Sequence, residues 1–361
     1  MTKVLFAGGG TAGHVEPAIA VAREWQSAHS DSLITFVGTR EGLESRLVPD
    51  AGFEIRYITK VRIARTLSPS LLVAPFSLLR SVAQSVALMR KHDLLVGFGG
   101  YVSGPTYLAA ALTRTPIVIH EANARPGIAN RLGALFTPHT AITHSIDSGK
   151  LSHSLLAGLP LRGDVVSAYR SASDDWQTAR REAKTQLGFD SSKPLIFIFG
   201  GSQGSVALNS VIAESRASLL SDGVQILHGI GARNESPADG DGYQARGYIT
   251  DMATAYLGAD LIISRSGAVT CAEVSTLGRY ALFIPLPIGN GEQELNARDL
   301  VSQARAEILP QSQFTSTWLT ANIKRLLTLS ATAPISGSDV DINAASKMVS
   351  LMEHALRGGK A

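Results

Sequence analysis

The chain has 361 residues, a length that suits about two domains. With 45 % apolar and 17 % charged residues it can build a large core, which excludes a disordered chain. Its single cysteine, Cys271, excludes a disulfide framework and reads as a small core residue, and a net charge of +3 permits an anionic partner but is too small to argue for nucleic acid.

Taken in order, the chain alternates short apolar runs with helical patterns. Residues 4–7 form the first expected strand, too short for the apolar core of a secretion signal. It runs into Gly8, Gly9, Gly10, Thr11, Ala12, Gly13 and His14, and a helical pattern follows over 17–28. Glycines there permit a tight turn and close backbone approach by a phosphate or sugar, and the helix start offers N–H groups to an anion. The spacing does not match a dinucleotide fingerprint. His14 stands where a neutral imidazole can serve as a base.

A second strand is expected at 33–37. Residues 60–90 then carry Leu67, Leu71, Leu72, Val73, Phe76, Leu78 and Leu79 with Lys60, Arg62, Arg65, Arg80 and Arg90 around them. Two readings stand side by side: a helix packed on the sheet, and an apolar patch with a basic rim suited to anionic lipid. No apolar stretch reaches the ~18 residues of a spanning helix. Strands at 94–98 and 117–120 lead into Gly97 to Pro105 and into His120, Glu121, Ala122 and Asn123, at the carboxyl edge of a sheet. A further strand is expected at 141–143.

Residues 162–193 carry no strand signal, and then the pattern restarts. A strand at 195–199 feeds Gly200, Gly201, Ser202, Gln203 and Gly204 and a helix over 207–220. This turn is suited to cradle a diphosphate with backbone N–H groups and the Ser202 hydroxyl, and it lacks the lysine of a P-loop. Strands follow at 224–228, 261–264 and 281–284, with an exposed loop at 232–242. Arg265, Ser266, Gly267 and Ala268 precede a helix bearing Glu273, which either accepts a ribose or is a solvated surface group. Gln293 and Asn296 supply amides suited to sugar hydroxyls. Residues 331–339 read as a linker and 342–356 as a final helix. Continuous apolar strands alternating with helices predict an α/β fold of two Rossmann-like domains with parallel sheets, 1–161 and 162–340, with 341–361 packing back on the first. No metal-ligand cluster is apparent, so no metal cofactor is expected.

Seven segments, at 8–14, 97–105, 120–123, 200–204, 249–256, 265–273 and the stretch ending in Gln293 and Asn296, resemble the MurG family in order and spacing. These are the UDP-N-acetylglucosamine:lipid I N-acetylglucosaminyltransferases of peptidoglycan synthesis. The resemblance implies a GT-B fold, its two domains facing across a cleft, with no metal in the site. It implies that Ile249 and Met252 line the uracil pocket and that Glu273 holds the ribose. Ser202, the 201–204 backbone and Arg162 would bind the diphosphate, and Gln293, Asn296, Ala268 and Asn123 would read the N-acetylglucosamine. The first domain would hold the acceptor, undecaprenyl-pyrophosphoryl-muramyl-pentapeptide, through Thr11, Ala12, Gly13, His14, Tyr101, Ser103 and Glu121. His14 is the expected general base for one inverting displacement. The resemblance further implies a peripheral location on the cytoplasmic face of the cell membrane, with cell-wall synthesis and division proteins as partners. Against it stand two other GT-B activities, an epimerase and a glycolipid synthase, and a non-catalytic sugar-nucleotide sensor. The chain departs from the family pattern at Ala122, at Leu159 and at Glu292, which stands before Gln293 where a Gln-Gln pair is usual.

Overall fold

The computed structural model describes residues 1–61, 70–201, 203–287 and 291–358, with the backbone alone over 70–74. The expected diphosphate ligand Ser202, and Arg62, Arg65 and Leu67 of the apolar-basic stretch, therefore lie outside the described residues, as do the side chains of Leu71, Leu72 and Val73. The chain divides into two compact units, Met1–Arg162 with Asp341–Ala361, and Gly163–Val340.

The first unit begins β1 (Lys3–Gly8), α1 (Ala12–Ala28), β2 (Leu33–Gly38), α2 (Glu44–Asp50) and β3 (Glu54–Tyr57). It continues with α3 (Ser70–Met89), β4 (Leu94–Gly99), α4 (Ser103–Thr113), β5 (Ile117–Glu121), α5 (Ile128–Gly133), β6 (Thr140–Ile142) and β7 (Leu155–Leu156). The strands form one parallel sheet in the order β3-β2-β1-β4-β5-β6-β7. Side chains alternate across it, as pleating requires. Val4, Phe6, Leu94, Val96, Phe98 and Val118 enter one core layer with Val15, Trp25 and Val48. Leu5, Ala7, Leu95, Ile117 and Ile119 enter the other with Met89, Val102 and Tyr107. Burial on both faces explains why these strands are apolar runs rather than alternating patterns.

The second unit comprises α6 (Gly163–Ala172), α7 (Trp176–Gln186), β8 (Leu195–Phe199), α8 (Val206–Ser221), β9 (Gln225–Gly229), β10 (Tyr243–Arg246) and α9 (Met252–Gly258). It closes with β11 (Leu261–Ser264), α10 (Ala268–Thr276), β12 (Ala281–Phe283), α11 (Glu292–Asn296), α12 (Arg298–Ser302), β13 (Ala306–Ile308) and α13 (Ser316–Thr332). Its parallel sheet has the order β10-β9-β8-β11-β12-β13. Ile196, Ile198, Ile226, Ile263 and Leu282 pack beneath α8 and α13 through Leu208, Ile212, Leu219, Leu319 and Ile323. Ser205 caps α8 by accepting the Leu208 N–H at 3.4 Å, and Asp251 caps α9 by accepting that of Thr254 at 3.0 Å.

The chain then returns to the first unit as α14 (Ala344–Leu356), whose Met348, Met352 and Ala355 share the layer of Trp25 on α1. The Leu159 N–H donates to Asp341 Oδ1 at 2.7 Å, and Lys347 Nζ donates to the Ala157 carbonyl at 3.2 Å. The departing and returning segments are thus tied to each other within one unit. Ala122 and Leu159, two of the departures from the family pattern, are both buried.

Candidate active site

Both sheets reverse their strand order beside their first strand, between β1 and β4 and between β8 and β11. At such a switch point the loops leaving the two central strands diverge and open a crevice at the carboxyl edge. Every glycine-rich segment singled out in the sequence leaves one of these four strands.

In the first unit the loops after β1 and β4 meet backbone to backbone. Gly100 has φ +81°, and a Cβ there would overlap the Gly9 carbonyl oxygen, so only glycine fits. The β1–β4 register also shifts between Ala7 and Gly8, which turns the strand ends into the loops. The structure brings together most of the expected acceptor residues here. Thr11 is the N-cap of α1, Ala12, Gly13 and His14 form its first turn, and Tyr101 lies against Gly10. The Ser103 hydroxyl points inward and donates to the Ala7 and Gly99 carbonyls at 3.0 and 2.7 Å, tying the two loops together.

His14 Nδ1 lies 3.1 Å from Thr11 Oγ1, and its Nε2 edge lies against Gly99. Burial lowers the imidazole pKa below 6.5, opposed by the charge of Glu121, the Gly9 carbonyl and the charge of Glu44. Burial thus favours the neutral imidazole, the form a base requires. Glu121 is itself buried and accepts four N–H groups. These come from the Asn123 backbone (2.9 Å) and side chain (3.1 Å), the Gly127 backbone (2.9 Å) and the Asn130 amide (3.0 Å). Asn130 in turn accepts from the Tyr107 hydroxyl at 2.7 Å. In this network Glu121 orients Asn123.

Three contributors escaped the sequence reading. Glu44 is fully buried and accepts from Gly10 and Tyr101. In the sequence it stands among Arg40, Glu41 and Arg46, where a charged residue reads as solvated surface. Asn130 carried no motif at all. Arg265 was quoted only as part of a motif.

In the second unit the turn after β8 packs against residues 230–231. Gly204 has φ +76°, and a Cβ there would overlap the Ile230 carbonyl oxygen. Buried Arg265 joins four partners. Its NH1 donates to the Ile284 and Pro285 carbonyls at 2.9 and 3.2 Å, its NH2 to Ser205 Oγ and Gln311 Oε1 at 2.9 and 2.6 Å. It fixes the α8 cap to the end of β12, and burial lowers its pKa.

The expected donor residues of this unit surround that turn's edge of the sheet. Ile249 lies beside Gly229 at the end of β9, and Met252 opens α9. Ala268 opens α10, and Glu273, 1 % exposed, lies further along it, which rules out a solvated surface role. Asn296 is buried with its amide 3.4 Å from the Ser266 carbonyl, and Gln293 Oε1 accepts the Leu286 N–H at 3.0 Å. Asn123 and Arg162 belong to the first unit. Among the described residues no three His, Cys, Asp or Glu side chains gather as a metal site.

Two family models match the chain. The glycosyltransferase family 28 N-terminal domain matches residues 4–142, and the family 28 C-terminal domain matches 195–352. A UDP-N-acetylglucosamine--N-acetylmuramyl-(pentapeptide) pyrophosphoryl-undecaprenol N-acetylglucosamine transferase of Frankia casuarinae is 39 % identical, over 93 % of this chain and 92 % of its own. One of the same name from Thermobifida fusca is 41 % identical over 90 % and 86 %. The crystal structure of Acinetobacter baumannii MurG superposes with a TM-score of 0.68 at 29 % identity, covering 98 % of this chain and 99 % of that one. Two Rossmann-like α/β units of this kind are the building blocks of the GT-B glycosyltransferases, and the chain belongs to the MurG family of family 28 glycosyltransferases.

Proposed function

We propose that the chain transfers N-acetylglucosamine from UDP-N-acetylglucosamine to the C4 hydroxyl of the muramyl sugar of lipid I, forming lipid II with inversion. The observation that carries the reading is identity of about 40 % with transferases of that name over 90 % or more of the chain. A neutral sugar hydroxyl is a weak nucleophile, so a base is needed, and His14 takes the proton as the hydroxyl attacks the anomeric carbon. UDP leaves from the opposite face, and one displacement converts an α-linked donor into a β-linked product.

Charge builds on the departing diphosphate. The 201–204 turn, the N-terminus of α8 and Arg162 offset it, each well-placed donor contributing about 3 kcal/mol. Glu273 receives the ribose hydroxyls, Ile249 and Met252 flank the uracil, and Gln293, Asn296, Ala268 and Asn123 read the sugar. Thr11, Ala12, Gly13 and Tyr101 serve the acceptor, and Glu121, expected there as well, acts by holding Asn123. With donors of this kind the reaction proceeds without a metal.

The lipid tail of the acceptor places the enzyme on a membrane surface. No described helix is long and apolar enough to cross a membrane. In the first unit α3 exposes Phe76 and Leu79, α4 exposes Leu112, and α5 with the residues after it exposes Ile128, Leu135 and Phe136. These helices are neighbours, α3 against α4 and α4 against α5. Exposed Arg80, Arg114 and Arg131 lie on the same segments. Exposed apolar groups beside arginines suit an anionic lipid surface.

The test is the product formed from UDP-N-acetylglucosamine and a short-chain lipid I analogue, read by NMR. A β-linked disaccharide supports the reading. An α-linked product overturns the single displacement, and no disaccharide overturns the assignment.

A further inference from the structure

We infer that Glu44 is the positioning residue of the first unit's switch point, the group that sets Gly10 and Tyr101 relative to each other. The inference rests on the reading above, in which these loops face the acceptor.

Glu44 is the first residue of α2 and exposes no surface. Its Oε2 accepts the Gly10 N–H at 3.0 Å. Its Oε1 accepts the Thr39 N–H at 2.9 Å and the Tyr101 hydroxyl at 2.9 Å. The Thr39 hydroxyl lies 3.3 Å from Oε1 and 2.8 Å from the Tyr101 oxygen. Three segments far apart in sequence therefore converge on one carboxylate, and two of them are the loops that leave β1 and β4. The seat is fitted: a Cβ at Gly38 or at Gly42 would overlap the Glu44 side chain.

A buried carboxylate is costly unless its acceptors are filled, and an apolar residue of similar size would serve packing alone at least as well. What the carboxylate supplies is direction. It fixes the turn at Gly10, whose φ is +93°, and the phenol beside it. It also engages the Gly10 N–H, so an acceptor anion meets the N–H groups at the start of α1 instead.

Glu44→Gln tests this, because it keeps the volume and one acceptor oxygen but sets an amide NH2 against one donor. For the lipid I analogue, kcat/KM is expected to fall roughly 10- to 100-fold. UDP affinity, measured by calorimetry, should stay near wild type, while Tm falls only by the cost of one buried donor left unpaired. Tyr101→Phe should also lower acceptor kcat/KM, and the double variant should be no worse than Glu44→Gln alone, since both act through one tether. If Glu44→Gln does not fold, Thr39→Val, which removes the hydroxyl lying against both Glu44 Oε1 and the Tyr101 oxygen, must give the same acceptor-specific loss. Wild-type acceptor kinetics in these variants, additive losses in the double variant, or a parallel loss of UDP affinity would each overturn the inference. A wild-type protein that transfers nothing overturns the underlying functional reading and the inference with it.

Discussion

His14, His120 and His228 all sit where burial disfavours the imidazolium. For His14 the consequence is catalytic. The imidazole stays neutral below pH 6.5, so the acid limb of kcat/KM should fall below that value. His14→Ala should lower kcat by roughly 10²- to 10⁴-fold with little change in UDP affinity. Unchanged transfer would remove the base assignment and leave the fold untouched. For His120 and His228, both pulled down to about 4, the consequence is stability. Between pH 6.5 and about 4 the unfolded chain binds protons at these positions and the folded chain does not. Unfolding therefore becomes easier as pH falls through that window. Melting followed by circular dichroism should show Tm dropping across it, and His228→Gln should flatten the slope. An unchanged slope in that variant would contradict the assignment.

At the scale of loops and strands, the switch points carry the design, and their glycines differ in kind. Gly204 combines a positive φ with a carbonyl where a Cβ would sit, whereas Gly201 has a positive φ and open space. Gly201→Ala should cost about 1–2 kcal/mol of stability and Gly204→Ala distinctly more, measured by urea denaturation. Equal costs would mean that the packing of the turn on Ile230 is not tight. The same elements show what a sequence can reveal. All nine expected strands form, because each is buried on both faces and reads as an apolar run. The four that escaped notice, β3, β7, β10 and β13, are the edges of the two sheets. An edge is covered on fewer sides, and β3 alternates exposed and half-buried residues while β7 is exposed throughout. The motif residues were legible because glycines, His14 and the amides stand in runs. Glu44, Asn130 and the linking role of Arg265 were not, since each makes bonds to partners 19 to 60 residues away that only folding brings near.

Over the whole molecule the chain crosses between its units twice, after Arg162 and before Asp341. The Asp341 carboxylate, with its pKa raised by burial, accepts the Leu159 N–H beside the first crossing. Asp341→Ala leaves that buried donor without a partner and should lower stability by about 1–3 kcal/mol. A Tm equal to wild type would contradict this. The exposed face of α3 makes a second whole-molecule prediction. Phe76→Glu with Leu79→Glu should abolish cosedimentation with vesicles containing anionic lipid while leaving UDP affinity intact, and undiminished vesicle binding would move the membrane contact elsewhere. The central claim is the transfer itself. It is tested most directly by incubating the protein with radiolabelled UDP-N-acetylglucosamine and a short-chain lipid I analogue in the presence of EDTA. The account predicts label in the lipid product with one UDP released for each sugar transferred. Sugar-nucleotide binding without transfer, or transfer abolished by EDTA and restored by a divalent metal, would contradict it.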